Sequence, residues 1–380
     1  MSDVDPRGEV DLSTDDQLRA SLQLSMTPGV GPRLYQSLIE RFGSPRAVLD
    51  TAPAELRGAE GIGPKLTRVI ATSADTIDVD AELDRCREHS INILTPPVDE
   101  YPRMLREIHD PPGILFMRGD LIARDALSVA IVGSRHATRY GLDQAERLAS
   151  GLARAGLTVV SGLARGIDAA AHKGAIAAGG RTLAVLASGV LNIYPPEHGA
   201  LADEVAAHGA LLSEASTLAK PLAGAFPQRN RIVSGISLGV IVVEAAERSG
   251  ALISARHAYE QGREVFAVPG RVDSRMSRGC HRLIRDGAKL VETIDDVLEE
   301  LGPLVEATPI DEGKVVRHPA ELQLNELEQK VLHAIDSDAT SIDDIVTTTG
   351  LPVHRVLSTV SVLEMRRLVR RVSGSLVARM

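Results

Sequence analysis

Ser128-Val129-Ala130-Ile131-Val132-Gly133-Ser134-Arg135 is the stretch that decides the fold. Its apolar run has no polar interruption and stops at a Gly-Ser-Arg turn signal. Such a run reads as a strand buried on both faces, as in parallel sheets. A helix is expected from about Gly141 to Ala155, and the strand, loop, helix unit then recurs. Thr158–Val160 leads into Ser161-Gly162-Leu163-Ala164-Arg165-Gly166-Ile167-Asp168 and a helix to about Ala178. Thr182–Leu186 ends at Ser188-Gly189, with Tyr194-Pro195-Pro196 beyond it. Leu211–Ser213, Val240–Val243, Glu264–Val268 and Ala288–Val291 read as further strands, with Ser249-Gly250 and Pro269-Gly270 following two of them. The alternation implies an α/β protein with a Rossmann-like, mostly parallel sheet covered by helices on both faces.

Ligands of such sheets bind at the carboxyl ends of the strands. Gly133, Gly162, Gly166, Gly189, Gly250 and Gly270 all lie just past strands. Small residues there permit close backbone approach and leave N–H groups for an anion. Arg135, Arg165, Arg229 and Arg231 add positive charge; for Arg135, Arg229 and Arg231 the alternative is internal salt bridging, expected of at least one of Arg229 and Arg231. The segment Phe226-Pro227-Gln228-Arg229-Asn230-Arg231 also supplies a ring, in a chain with 2% aromatics and no Trp. A ring for a base and guanidinium groups for phosphates equip a single-strand binder. The dinucleotide spacing G-x-G-x-x-G is absent after Val132, and there is no Walker A sequence, so no cofactor is expected. The candidate nucleic-acid-binding residues are Gly133, Ser134, Arg135, Ser161, Gly162, Arg165, Gly166, Phe226, Arg229, Asn230, Arg231, Ser249 and Gly250, with Lys173 and Lys220 as secondary candidates.

The 380 residues suggest about two to three domains. With 44% apolar and 24% charged residues the chain reads as soluble and globular. A net charge of -9 argues against a globally basic nucleic-acid coat. Screening confines the relevant field to about 8–10 Å, so a local basic groove remains open. Some of the acid lies at Asp3, Asp5, Glu9, Asp11, Asp15 and Asp16, in and next to a tail over 1–15 that is expected to be disordered. Cys86 and Cys280 are far apart and read as reduced thiols of a cytoplasmic protein. The N-terminus lacks a signal-peptide pattern and no apolar run is long enough for a bilayer, so no membrane partner is expected.

Residues 16–90 read as a helical domain. Pro28-Gly29-Val30-Gly31-Pro32 and Gly61-Ile62-Gly63-Pro64 repeat one motif between helix-like segments, like paired helix-hairpin-helix units. Arg33 and Lys65 follow the turns and could assist a phosphate at the helix N-terminus. The alternative is a small bundle using the glycines only for tight turns, and both readings stay open. The α/β domain is placed at 91–302, entered through a loop-rich stretch from Ile91 to Gly119 with Pro96, Pro97, Pro102, Pro111 and Pro112. Residues 303–320 read as a linker. In 321–380, helices over Asn325–Asp336, Ser341–Thr348 and Pro352–Leu368 and a hairpin turning at Ser373-Gly374 make a winged-helix-like domain. Its Arg355, Arg366, Arg367, Arg370 and Arg371 serve either a second DNA contact or a packing module with solvated arginines.

An enzymatic reading would use Ser161, Asp168, His172 and Glu244, in a nucleotide hydrolase cleaving N-glycosidic bonds. Such enzymes carry a Pro-Gly-Gly-x-Gly-Thr-x-x-Glu loop, where this chain has Val243-Glu244-Ala245-Ala246-Glu247-Arg248-Ser249-Gly250. Asp168 reads instead as a helix N-cap, His172 as a buried hydrogen-bonded residue and Glu244 as an anchor for the loop arginines. No catalytic residues are assigned, and no His/Cys/Asp cluster has metal-ligand spacing.

Ile131-Val132-Gly133-Ser134-Arg135, then Ser161-Gly162-Leu163-Ala164 through Gly166-Ile167-Asp168 to His172, resembles the DprA/Smf family. So do Tyr194-Pro195, Ser213-Glu214, Phe226-Pro227 with Arg229-Asn230-Arg231, Val243-Glu244-Ala245 with Ser249-Gly250, and Val268-Pro269-Gly270. The resemblance covers about Pro102 to Val291. It implies a bacterial cytosolic protein that binds single-stranded DNA, protects incoming strands in natural transformation and helps load the RecA recombinase. It also implies dimerisation through the Rossmann-like core. By motif position Arg135 is implied to bind phosphate, and Phe226, Arg229 and Arg231 to contribute to the DNA groove. The chain departs from the family pattern at Leu222-Ala223-Gly224-Ala225, where a basic residue is common and Lys220 is the closest lysine. It also has His198 and His281 where asparagine is usual.

Overall fold

The computed structural model describes residues 12–301, 308–309, 315–316, 321, 324–336, 338–366 and 368–379. Most of the expected tail and linker therefore lie outside the described residues. The first helix, Leu12–Met26, starts inside the segment assigned to the tail, so Leu12–Asp15 are helical. Within the expected linker, Thr308–Pro309 pairs antiparallel with Val315–Val316. The chain divides into two compact units. One holds the residues up to Leu121 with Gly162–Ala164 and Leu183–Ile236; the other holds Ile122–Ser161, Arg165–Thr182 and Ser237 onward.

The first unit opens with the repeated Gly-x-Gly-Pro motif. Pro32–Phe42 and Pro64–Ala71 both start on proline, whose fixed φ suits the first helical position. The two helix starts have nearly the same backbone, Gly31 at φ -90 and ψ 174 and Gly63 at φ -91 and ψ 173. Gly29 and Gly61 take positive φ, +93 and +80. A Cβ on Gly29 would meet Leu66, and one on Gly61 would face Leu34. Each turn therefore packs on the other motif's helix, as in a pair related by local two-fold symmetry. Val30 and Ile62, the residues between the glycines, are buried with Leu24, Tyr35, Leu38, Val48, Leu56 and Ile70.

The strands of the first unit are β1 (Ile91–Leu94), β2 (Leu115–Gly119), and, after two strands of the second unit, β5 (Thr182–Leu186, from Leu183 on) and β6 (Gly209–Ser213). They run in the order β1-β2-β6-β5. β1 with β2, and β2 with β6, are antiparallel. This corrects the expectation of a loop-rich entry: Ile91–Gly119 contributes two strands. Its five prolines all fall between those strands, so they mark the connection and leave the strands intact.

The second unit contains β3 (Ser128–Gly133), β4 (Thr158–Ser161), β7 (Gly239–Val243), β8 (Glu264–Ala267) and β9 (Lys289–Leu290). They run in the order β4-β3-β7-β8-β9, all parallel. Val129, Ala130, Ile131, Val159, Val160, Val240, Ile241, Val242 and Val243 are fully buried. Each Val or Ile in that set contributes about 1.5–3 kcal/mol relative to exposure. The helices Arg139–Arg154 and Ile167–Ala177 meet closely because Gly174 has no Cβ to strike the Glu146 backbone.

The C-terminal segment of this unit is a winged helix. Helices Glu326–His333, Ile342–Thr349 and Val353–Met365 accompany a sheet whose strands are β12 (Thr340–Ser341), β13 (Val369–Ser373) and β14 (Leu376–Arg379), ordered β12-β14-β13. Asn325 and Glu328 form a capping box, Ser341 caps the second helix, and Gly350 ends it in the left-handed region. The core is aliphatic, from Leu324, Val331, Leu332, Ile345, Val356, Val360, Leu363 and Val377.

Candidate nucleic-acid interface

In the second unit the loops after β3 and β4 are fastened to each other. Ile167 N–H donates to the Ser134 carbonyl at 3.1 Å. Gly166, at φ +75, lies so close to the Ser134 and Arg135 backbone that any Cβ would collide with it. Ser134 N–H donates to the Glu244 carbonyl at 2.8 Å, and His136 N–H to Ser134 Oγ at 3.1 Å. These bonds hold Arg135 and Arg165, both exposed, on neighbouring loops at the carboxyl ends of adjacent parallel strands.

The same bonds correct the expectation that these loops present open N–H groups to an anion. The N–H groups of Ser134, His136 and Ile167 are taken by protein acceptors. The helix Arg139–Arg154 already has an anion at its N-terminus: the buried Glu244 carboxylate accepts from Thr138 N–H at 2.8 Å and from the Thr138 hydroxyl. Glu244 thus anchors a helix start, in place of the loop arginines expected as its partners, and its φ of +53 places the carboxylate there. Gly141 lacks the Cβ that would strike this carboxylate. Gly133 is needed where the Val243 carbonyl and Ile167 leave no room for a side chain. Only Gly250, among the candidate glycines, has open space where a Cβ would go. Ser249 Oγ accepts from Ala251 N–H at 3.3 Å at the start of Ala251–Glu260. Lys173 is exposed on Ile167–Ala177.

Ser161 is fully buried and donates to the Ile131 carbonyl at 2.6 Å, so it holds β4 to β3 and faces no ligand. His172 is fully buried with Nδ1 2.7 Å from Thr182 Oγ1. The Thr182 hydroxyl donates to the Val159 carbonyl, so Nδ1 carries the proton and donates to it. Asp168 lies inside the first turn of Ile167–Ala177, and the N-cap is Gly166.

In the first unit Phe226-Pro227-Gln228-Arg229-Asn230-Arg231 is not a loop. It begins the helix Ala225–Ile236, with Pro227 in the first turn where a missing N–H is tolerated. The helix turns both arginines inward, which corrects their assignment to the groove. Arg229 is 6% exposed and donates to the Gly162 carbonyl at 2.7 Å and to the Val185 carbonyl. Gly162 leaves space for that guanidinium, not for a phosphate. Arg231 is 3% exposed and pairs with Glu214 at 2.7 Å and Asp110 at 3.3 Å. Asn230 Oδ1 accepts from Arg229 Nε at 3.3 Å. Phe226 is half-buried and meets Tyr194 edge to face, centroids 5.7 Å apart. Lys220 is exposed, as are Arg33 and Lys65 beside the N-terminal turns; Arg33 lies 3.7 Å from Asp110.

Glu214 and Asp110 are residues that sequence reasoning did not use as site groups. Burial pushes the Glu214 carboxyl up, against the opposing pull of Arg231. Ser213-Glu214 at a strand end was the available signal; Asp110 was hidden in the proline-rich stretch. The two histidines in place of asparagine have structural partners: His198 Nδ1 lies 2.8 Å from the Leu163 carbonyl and His281 Nε2 3.0 Å from the Gly270 carbonyl. In the winged helix Arg355 and Arg370 are exposed, Arg371 pairs with Glu364 and Arg366 with Glu328. Among the described residues no group of His, Cys, Asp and Glu could hold a metal ion, and no helix is long and apolar enough to cross a membrane.

Fold and site together define a three-part protein: paired helix-hairpin-helix motifs, a Rossmann-like core with arginines at its strand ends, and a winged helix. The chain belongs to the DprA/Smf family of DNA processing proteins. The family model for DNA recombination-mediator protein A matches residues 92–302, that for the DprA winged helix domain 315–375, and that for the DprA-like N-terminal HHH domain 15–74. Protein Smf of Synechocystis is 34% identical over 385 residues, covering 93% of this chain and 96% of that protein. DNA processing protein DprA of Bacillus subtilis is 44% identical, covering 63% of this chain and 76% of the relative. The crystal structure of DprA from Streptococcus pneumoniae matches with a TM-score of 0.65 at 36% identity, over 75% of this chain and 97% of that one. A structure of the Helicobacter pylori protein, described for its single-stranded DNA binding mode, matches with a TM-score of 0.50 at 31% identity, over 56% of this chain and 95% of that one.

Proposed function

We propose that this protein binds single-stranded DNA with little sequence preference along the backbone, protects strands entering during natural transformation, and helps load RecA on them. The observation that carries the DNA-binding reading is the placement of exposed Arg135 and Arg165 on two interlocked loops at the ends of β3 and β4. Guanidinium groups there can neutralise phosphates although the chain as a whole is acidic. The half-buried Phe226 offers a ring face for stacking. The Helicobacter pylori relative, described as a single-stranded DNA binder, supports the same ligand. The RecA step and a homodimer through the Rossmann-like domain rest on family resemblance, as does a cytoplasmic location. No catalysis is assigned: Ser161, His172 and Glu244 each serve a structural hydrogen bond.

Fluorescence anisotropy with single- and double-stranded oligonucleotides across a salt series tests the binding. Single strands should bind more tightly, with a log–log salt slope of about -0.7 per phosphate neutralised. Equal affinity for duplex, or no salt dependence, would overturn the reading. Pull-down with RecA and sedimentation of the free protein test the partner and the dimer. Incubation with nucleotides should release neither free base nor ribose phosphate.

A further inference from the structure

A cavity of about 200 Å³ lies within the first unit, beside the start of the helix that carries Phe226. It is smaller than the roughly 300–1,000 Å³ of sites for drug-sized ligands. That size suits a single base better than a whole nucleotide. Val30, Pro32 and Ile232 give it apolar walls, and Gly31, Glu214 and Gln228 are among its other lining residues. Glu214 Oε1 accepts from Arg231 at 2.7 Å, while Oε2 accepts no hydrogen bond among the described residues. The Gln228 amide is exposed and likewise makes no hydrogen bond among the described residues. The Arg231 pair holds the Glu214 carboxylate in place, and Arg231 is itself held by Asp110 at 3.3 Å.

Paired with the Arg231 guanidinium at 2.7 Å, the Glu214 carboxylate acts as a hydrogen-bond acceptor, so its ligand must present donors. Thymine has a single N–H flanked by carbonyls. On cytosine and adenine the amino group sits beside an acceptor nitrogen that a carboxylate repels. Guanine alone places two donors, N1–H and the 2-amino group, side by side, with O6 adjacent to take an amide N–H. We propose that this cavity takes one unstacked guanine base of the bound strand, with Glu214 reading N1–H and the 2-amino group and Gln228 donating to O6. The proposal rests on the reading that the chain binds single-stranded DNA. It adds a one-base preference to otherwise sequence-tolerant backbone binding. A base leaving the stack and being read on its Watson–Crick edge between apolar walls is an established recognition mode.

The test uses the full chain and three strands: a thymidine homopolymer, the same strand with one central dG, and the same strand with deoxyinosine, which lacks the 2-amino group. The dG strand should bind about tenfold more tightly than the thymidine strand, with inosine in between. Glu214→Gln should abolish that preference. Because this change also disturbs buried Arg231, Gly31→Leu provides an independent arm. Gly31 is extended, has no atom within 4 Å of a built Cβ and lines the cavity, so leucine adds bulk at the cavity wall without a backbone clash and leaves the residues of the ion pair unchanged. It should also abolish the preference. If wild type binds all three strands equally and tightly, the guanine site is wrong while single-strand binding stands. If no strand binds, the underlying reading fails instead. Thermal stabilisation by guanosine monophosphate with no dG preference in strands would assign the cavity to a free nucleotide and overturn the proposal.

Discussion

Arg229 Nη1 donates to the Gly162 carbonyl at 2.7 Å, and the same guanidinium fills the space a Cβ on Gly162 would need. The glycine and the arginine are one device, in which a missing side chain admits a buried cation that ties the turn after β4 to the Ala225–Ile236 helix. Gly162→Ala should therefore act on stability. The cation is held by two carbonyls and cannot simply swing away, so a loss of about 1–3 kcal/mol is expected in urea unfolding. Arg229→Ala should cost a similar amount by stranding buried carbonyls. If either variant unfolds like wild type and only DNA binding falls, the pair belongs to the ligand site after all.

Glu244 and Thr138 form a second device, in which a buried carboxylate occupies the start of Arg139–Arg154. Thr138→Ala removes the cap hydroxyl and should cost about 1 kcal/mol. Glu244→Gln keeps an acceptor but removes the charge, for a further loss of about 0.3–1 kcal/mol at a helix N-terminus. The double variant should be less damaging than the sum of the singles, because both remove parts of one hydrogen-bond network. Additive losses in a thermal or denaturant double-mutant cycle would show the two residues acting independently.

The fold was legible because its strongest signals are local. Unbroken runs such as Val129–Val132 and Val240–Val243 ending in glycine turns are hard to read as anything but buried parallel strands, and they are fully or nearly fully buried. The short edge strand Ile91–Leu94 and its neighbour Leu115–Gly119 were lost because the prolines between them dominated the pattern. The candidate site was legible in its positions and less so in its roles. A glycine beyond a strand looks the same in sequence whether it admits a phosphate, a carbonyl or a guanidinium, and at Gly133, Gly162 and Gly166 protein atoms take the space. Arg229 and Arg231 were read as groove residues, with an internal salt bridge as the alternative for at least one of them. The helix that begins at Ala225 instead turns them inward, and nothing in six residues distinguishes those directions.

Both thiols should be silent in the native protein. Burial raises Cys86 and Cys280 to about 11 from an ordinary value of 9.0. Cys280 packs with Sγ 3.5 Å from the Val242 carbonyl. At pH 8 a thiol-specific chromogenic disulfide reagent should react with neither residue until denaturant is added, then with both. Because the folded values lie above the unfolded one, the stability these thiols contribute is fully present below pH 9.0 and lost as pH rises through about 11. Rapid native labelling of either cysteine would show that its segment opens locally.

The proposed phosphate contacts are Arg135 and Arg165, whose loops are braced by the hydrogen bonds of Ser134, His136 and Ile167. Arg135→Ala and Arg165→Ala should each leave unfolding within about 0.5 kcal/mol of wild type, as expected at exposed positions. Each should flatten the salt dependence of single-strand binding by about 0.7 in log–log slope if it neutralises one phosphate, and the double variant by about twice that. Phe226→Ala should weaken binding by about 1–3 kcal/mol without changing the slope, since a stacked ring releases no counterions. This contrast separates the two kinds of contact. Weaker binding with an unchanged slope in the arginine variants would mean that they order the loops without touching the strand. A change of slope in Phe226→Ala would mean that the ring positions a cation and does not stack on a base.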